Sequence, residues 1–499
     1  MNYSEKAEFE IPPPPIPPGD ISETVTTDVV VVGAGISGLT AAASAAEAGT
    51  RVIQLEKGET FHHRGLHNAA LSSKLQKKAG IEVDRDNVIY TLMEFAAYRN
   101  NQQLVKLWAD NCDRVMDWLI DMANTAGVEV ILDTTTKPWY FPNYPIIHVF
   151  LPDRQESLAK MLMEYSQARG SEIRWETPAV RLVREGKGRV TGVISRNASG
   201  DYVQFNARKG VILCAGDYGN NPEMVKHYLR PAAQDLRVVY EPDVNTGDGH
   251  KMGLWVGADI DDIPHCAMIW DFAVFSHTGL FNMGRQPWLY VNSNGERFMN
   301  EDLPYGYECN QILQQPGNCA YAIWDAKYDD EWAKMQSQCC KNMGPPTFLW
   351  NPKQLEEALA DGNVQTAPTI RELAQKIGVP ADTFESTVAR YTELARMGKD
   401  TDFGKHPDRL TTLEKPLYYA CKMETRRMVI LSGLKINTRL QVLDTERQPI
   451  PGLYAAGNNS GSFFGDTYAS TVPGLTHSRA WTFGRLAGMN AASEKSNGG

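Results

Sequence analysis

DVVVVGAGISGLTAAASAAEAG, residues 28–49, decides the fold of this chain. Four consecutive valines after Asp28 predict a strand covered on both faces, as in a parallel sheet. The Gly33-Ala34-Gly35-Ile36-Ser37-Gly38 turn follows, then a helix through about Ala48. Arg51 to Leu55 is a second strand ending at Glu56, so the N-terminus is a βαβ unit. Gly33 permits the strand-to-helix turn, Gly35 lets backbone approach a pyrophosphate, and Gly38 lets helix and strand pack closely. Ala34 and Ser37 complete the turn, and the helix N-terminus offers unpaired N–H groups to the phosphates. Glu56 lies where a carboxylate accepts hydrogen bonds from a ribose diol and rejects a 2′-phosphate; Lys57 follows it. The unit reads as a dinucleotide site. The uncharged window Val29 to Ala46 is long enough to suggest a membrane span, but three glycines and many small residues make it a strand and a packed helix instead.

The 499 residues suffice for two domains or one large interrupted one, and a 42% hydrophobic, 22% charged composition is that of a water-soluble globular protein. A formal net charge of -10 argues against nucleic-acid binding. None of the eight cysteines forms Cys-x-x-Cys, so iron–sulfur, zinc-ribbon and thioredoxin readings lack support, and reduced buried thiols of a cytoplasmic protein are expected. The charged first ten residues carry no apolar signal core.

Outward from the βαβ unit, Ile11 to Pro18 (IPPPPIPP) is an extended polyproline arm, read as a leader draped over the surface rather than a docking ligand. Helical periodicity runs from about Val88 to Ala126, with Leu92, Phe95, Leu104, Leu107, Val115, Trp118 and Leu119 as core positions. Pro138 to Pro152 reads as an aromatic loop or lid, and Val180 to Phe205 as an antiparallel meander. Gly210 to Ala215 and Gly452 to Gly457 are short buried strands closed by glycines. Between them the composition turns to Trp, Met, Cys, Pro and Asn, as in an inserted domain. Expected boundaries are an arm over 1–26, a first dinucleotide part over 27–260, an insert over 261–405, a second dinucleotide part over 406–492 and a tail over 493–499.

Several segments then resemble the flavoprotein family of fumarate reductases and succinate dehydrogenases, which includes the 3-ketosteroid dehydrogenases. They are the quoted turn with Glu56-Lys57, NNQQLVKLWADNCDRVMDWLID from Asn100, KGVILCAGDYGNNPEMVKHYL from Lys209, NTGDGHKMGLWVGADI from Asn245, LYVNSNGERFMNED from Leu289, and IPGLYAAGN from Ile450 followed by TFGRLAG. The resemblance implies FAD as the dinucleotide. It also implies an α/β fold: a Rossmann-like FAD-binding domain interrupted by an α+β capping domain. It places Val180 near the adenine, Ala215 and Gly216 on the pyrophosphate side, and Asp248 near the ribityl chain. Asn458 stands where the family has Glu, and Gly474 and Leu475 open the last helix toward the flavin pyrimidine. The segment His62-His63-Arg64-Gly65-Leu66-His67-Asn68-Ala69-Ala70 is shorter than in soluble members, and Asn68 is counted as a cofactor contact. His67 lies roughly where membrane-complex members carry a flavin-linked histidine; a non-covalent FAD is expected here. No metal site is expected from His62, His63 and His67, since no carboxylate or cysteine accompanies them.

On the substrate side the resemblance breaks informatively. Arg297-Phe298-Met299-Asn300-Glu301 is present, but Tyr305 holds the position of the family's proton-donating arginine and Tyr468 that of its carboxylate-clamping one. The histidine-bearing family segments are missing near Val429-Ile430-Leu431-Ser432-Gly433 and His265. A dicarboxylate in a dry pocket needs bidentate arginines. Two tyrosines suit a neutral carbonyl, and the 3-ketosteroid dehydrogenases resemble this chain in using tyrosines in both regions. Trp139, Tyr140, Phe463, Phe464 and Tyr307 suit a flat apolar substrate. The expectation is an ene-reductase of a C=C bond conjugated to a carbonyl, with Tyr305 and Tyr468 catalytic, exchanging electrons with a soluble partner. Other readings stay open: a 3-ketosteroid dehydrogenase in the oxidative direction, a fumarate- or urocanate-type reductase if Arg64 or Arg479 enters the site, and a flavin electron carrier without substrate. His477, His148 and Arg479 are read as packing residues.

Overall fold

The computed structural model describes residues 6–133, 144–240, 244–273, 283–335 and 352–496. β1 (Ile21–Val32), α1 (Ile36–Glu47) and β2 (Val52–Leu55) form the opening βαβ unit. β1 is central in an eight-stranded sheet, parallel to β2 on one side and to Tyr202–Leu213 on the other. Pro449–Ala455 lies parallel beyond Tyr202–Leu213, and Glu172–Arg174 parallel beyond β2. Ala179–Arg184 and Val190–Arg196 add the expected antiparallel meander. Val29 to Val32 are buried, as in a strand covered on both faces.

α1 is buried around its whole circumference, every residue from Ile36 to Ala46, with the Thr40 and Ser44 hydroxyls donating back to the carbonyls of Ile36 and Thr40. Its outer partner is the C-terminal helix Leu475–Ser493. The two approach so closely that a Cβ on Gly484 would lie 2.5 Å from the Ser37 carbonyl oxygen, and one on Gly488 2.4 Å from that of Ala41. Strand ends at Val32, Leu55, Leu213 and Ala455 all open to one side, which makes the crevice of an open α/β sheet. Among the described residues no helix is long and apolar enough to cross a membrane.

The insert builds a second, five-stranded antiparallel sheet in the order Ala267–Ala273, Tyr418–Ile430, Cys319–Asp325, Leu289–Val291, with Val364–Ala367 also on Tyr418–Ile430. It has apolar clusters of its own around Trp288, Trp324 and Met423 and around Phe384, Leu373 and Tyr391. The strand Tyr418–Ile430 pairs here, past the insert end of 405 read from composition, because its alternating buried positions face the insert's core.

Other readings shift locally. The periodic stretch 88–126 is two helices, Arg85–Phe95 and Gln102–Ala126, separated where Ala97 and Tyr98 take positive φ. Within the segment expected to be a lid, Ile147–Leu151 is a strand in a three-stranded sheet with Asn68–Ala69 and Glu129–Asp133; Trp139, Tyr140 and Phe141 lie outside the described residues. Strand pairing begins at Ile21, six residues before the expected edge of the domain. The arm ahead of it lies against the protein. Phe9 is buried beside His227 and Tyr228, Trp255 Nε1 donates to the Phe9 carbonyl at 2.9 Å, and Arg181 donates to the carbonyls of Pro13 and Pro14 at 2.8 and 2.9 Å.

Candidate active site

One elongated cavity, enclosing about 1560 Å³ of space partly open to solvent, runs from the glycine turn to the inserted sheet. Its first wall is the glycine turn, where each glycine has a different reason. Gly33 has φ 102°, and a Cβ there would sit 2.4 Å from the Cys214 carbonyl oxygen. A Cβ on Gly38 would sit 2.0 Å from the Gly33 carbonyl oxygen, so Gly38 serves the helix–strand contact and does not line the cavity. Gly35 caps α1 with no side-chain hydrogen bond, lines the cavity, and leaves open space where its Cβ would be. That gap lies at a helix N-terminus with unpaired N–H groups, which is the cradle a pyrophosphate needs. Ser37 also lines it.

Glu56 is buried on this wall. Its Oε2 accepts from Ala34 N at 2.7 Å and its Oε1 from Gly58 N at 2.9 Å. Ala34 itself stays out of the cavity and holds the carboxylate in place. Two lone-pair positions remain on that carboxylate for a diol. Pro178 and Ala179, not Val180, line the cavity beside it. Lys57 donates to Thr246 Oγ1 at 2.8 Å and to Asp248 Oδ2 at 3.2 Å. Burial raises the Asp248 carboxyl, but the ammoniums of Lys57 and Lys251 outweigh it and hold the group below its ordinary value. Asp248, expected near the ribityl chain, is therefore tied to the Glu56 end.

Ala215, Gly216, Asn458 and Gly474 line the middle. Gly474 has φ 79° and packs against backbone, its would-be Cβ 2.8 Å from Ala69 N. Leu475 starts the last helix but is buried away from the cavity; Thr476, His477 and Ala480 face it instead. Asn68 is buried below, where its Oδ1 accepts from Gln155 Nε2 at 3.1 Å and Trp481 Nε1 at 3.2 Å, so it braces the loop from outside. His67 lines the cavity at 6% exposure with its Nε2 lacking any hydrogen bond. His477 Nδ1 lies 2.9 Å from the His67 carbonyl oxygen, and burial holds the His477 imidazole neutral down to about pH 4.

Tyr305 and Tyr468 close the far end, at 1% and 8% exposure, with ring centroids 6.5 Å apart. Tyr305 opens the helix Tyr305–Ile312, and Tyr468 follows the loop from Gly461. Trp270, from the inserted strand Ala267–Ala273, stacks on Tyr305 at 4.9 Å and lines the cavity with Met268, Met428 and Val429. Phe464 packs behind Tyr468 at 5.6 Å, and Tyr307 stacks away from the site on Phe95. Arg64 reaches the cavity wall, 3.9 Å from the Tyr240 ring and 4.0 Å from Asp217 Oδ2. His265 is buried between Tyr218 and Tyr228, and His148 bonds Ser73 at 2.7 Å; neither lines the cavity. His62 lies 3.7 Å from Glu56 and His63 3.6 Å from Glu156. Among the described residues no three metal-ligating groups gather.

Sequence reading missed Trp270, Met268, Asp217 and the outward face of the last helix. Trp270 has no local signal, since antiparallel pairing with Tyr418–Ile430 delivers it. His477 was read as packing because a lone histidine at helical spacing gives no direction.

The cradle at Gly35, the fixed carboxylate of Glu56 and the unpartnered His67 ring fit a flavin dinucleotide laid along the cavity. A family model described as "FAD binding domain" matches residues 28–471. The chain is 28% identical over 491 residues to the vinyl phenol reductase of Lactiplantibacillus plantarum, covering 93% of this chain and 96% of that protein. It is 28% identical over 510 residues to the urocanate reductase of Eggerthella lenta, covering 99% and 78%. The open conformation of a flavocytochrome c3 fumarate reductase superposes with a TM-score of 0.74 at 25% identity, covering 99% of this chain and 84% of that one.

Proposed function

This chain belongs to the FAD binding domain family and is an FAD-dependent oxidoreductase of the fumarate reductase group acting on C=C bonds; we propose that its substrate is an uncharged, flat, largely apolar molecule whose C=C bond is conjugated to a carbonyl. The observation that carries this is the pair of buried tyrosines, 6.5 Å apart, against Trp270 at the end of the cavity remote from the glycine turn.

FAD, when bound and reduced, supplies a hydride for the β-carbon of such a bond. The rest falls to the chain. The Tyr468 hydroxyl donates a hydrogen bond to the carbonyl oxygen, with the N-terminus of the last helix beside it, and stabilises the charge that develops there. The Tyr305 hydroxyl donates the proton to the α-carbon. Trp270 and Met268 exclude water and orient the flat substrate between the two phenols, which converts the encounter into a positioned, unimolecular step. A phenol suits proton donation at neutral pH because it is fully protonated there.

The near full-length match to a vinyl phenol reductase favours adding hydroxyaryl alkenes to the substrates tested; they are also flat and uncharged. A second reading, an unsaturated acid, draws support from Arg64, which does reach the cavity. Protein photoreduced without oxygen and mixed with steroid enones, aryl enones, vinyl phenols, cinnamates, fumarate and urocanate separates these. Rapid flavin reoxidation by the uncharged enones is expected. Reoxidation by acids alone, lost in Arg64→Gln, would replace the first reading with the second, and reoxidation by none would leave an electron carrier. Tyr468→Phe is expected to abolish turnover with flavin still bound.

A further inference from the structure

Arg479 lies on the face of the last helix turned away from the cavity and is fully buried. Nη1 donates to the Ser460 carbonyl at 3.0 Å and Nη2 to Asn458 Oδ1 at 2.9 Å; Nε is buried without a hydrogen bond. Among the described residues no carboxylate comes within 4.0 Å of the guanidinium. A cation kept dry without an ion-pair partner is costly. Burial lowers its own proton affinity to about 10, which leaves it charged at neutral pH.

Its neighbours are the reacting wall. The guanidinium carbon lies 4.8 Å from the Phe464 ring, and Phe464 lies 5.6 Å from Tyr468. Asn458, which it grips, lines the cavity. The other charged or titratable groups around the pair are engaged or neutral. Asp261 attracts the guanidinium from beyond ion-pair distance and accepts from Ser462 and Gly433, Asp466 is paired with Arg99, and Asp217 accepts from Gly219 and Asn245. Burial raises the Cys266 thiol. Arg230 donates to Asn310, and the Tyr305 ring lies 6.5 Å from that of Tyr468.

We propose that Arg479 is a positioning residue that acts through Tyr468: its unpaired charge strengthens the Tyr468 hydroxyl as a hydrogen-bond donor, and its grip on Asn458 and Ser460 fixes the loop that carries Phe464 and Tyr468. This rests on the reading of Tyr468 as the donor to the substrate oxygen. A cation one ring away in a dry site favours negative charge on the phenol oxygen, so the hydroxyl shares its proton more readily with a developing oxyanion.

The test titrates Tyr468 in the FAD-loaded full chain by carbon-13 NMR of tyrosine Cζ, with the signal assigned by its loss in Tyr468→Phe. Arg479→Gln should raise the Tyr468 midpoint by about one pH unit or more, and Arg479→Lys, which keeps the charge, should hold it near the wild-type value. If Arg479→Gln does not fold, Asn458→Asp places a carboxylate against the guanidinium and should raise the midpoint in the same way. An unmoved midpoint in either neutralised variant overturns the proposal. A moved midpoint together with full turnover in Tyr468→Phe would retain the electrostatic coupling and remove the catalytic reading of Tyr468 instead.

Discussion

Two glycines of one turn, three residues apart, should fail in opposite ways. In Gly38→Ala the new methyl would lie 2.0 Å from the Gly33 carbonyl oxygen, roughly 1.4 Å short of van der Waals contact. That oxygen also accepts from Gln54 Nε2 at 2.8 Å. α1 cannot slide to relieve the overlap, because Gly484 and Gly488 already hold the last helix against the carbonyls of Ser37 and Ala41. The cost sits at or above the top of the ~1–3 kcal/mol range for an extra methylene in a packed core, about a hundredfold in the folded-to-unfolded ratio. In Gly35→Ala the backbone, at φ -80°, is one that any residue adopts, and the methyl meets nothing closer than 4.0 Å. Stability without flavin should change by less than about 1 kcal/mol, the price of a poorer helix cap. The methyl does occupy the phosphate's approach, so about 1.5–3 kcal/mol of charge-assisted hydrogen bonding is lost, roughly 10- to 100-fold in Kd. Urea unfolding of flavin-free protein and flavin fluorescence titration separate the two. A Gly35→Ala protein that binds FAD like wild type, or a Gly38→Ala protein of unchanged stability, would refute the assignment of roles within the turn.

Burial holds His148, His250 and His477 neutral to about pH 4 and His265 to about pH 3. Unfolded, each takes a proton below about pH 6.5, so stability should be level above pH ~7 and fall as pH drops toward 4, by up to about 1.4 kcal/mol per pH unit per histidine; a flat urea midpoint over that window contradicts the four neutral sites. In the insert, Glu301 receives Arg297 at 2.8 Å and Lys405 at 3.0 Å, all buried. Glu301→Gln leaves the buried Lys405 ammonium without its carboxylate, while Arg297 keeps Asp400 at 2.7 Å, and should cost about 3–5 kcal/mol, read as earlier proteolysis of the insert in urea, while retained wild-type resistance would mean the network contributes little. Phe9→Ala together with Arg181→Ala should free the arm to protease while turnover stays unchanged; an arm that remains protected would show that other contacts hold it.

The residues alone determined the parts whose causes are local. Four valines, a glycine turn and a carboxylate at the next strand end specify a βαβ dinucleotide unit, because strand periodicity, turn geometry and helix N-termini are short-range properties. The tyrosines at 305 and 468 were legible as departures from a family pattern, but their meeting was not, since the residues between them include most of an inserted domain. Only the tertiary structure decided what surrounds them. Trp270 reaches Tyr305 through a strand register, and Arg479 comes behind Tyr468 because the last helix is pressed onto α1 by glycines. It also turned expected contacts around. Asn68 and Leu475 point away from the cavity, Asp248 moves to the Glu56 end through Lys57, and the strand Tyr418–Ile430 joins the insert. The common reason is that side-chain direction and strand pairing are set by which surface each element buries, and that surface exists only once the chain is packed.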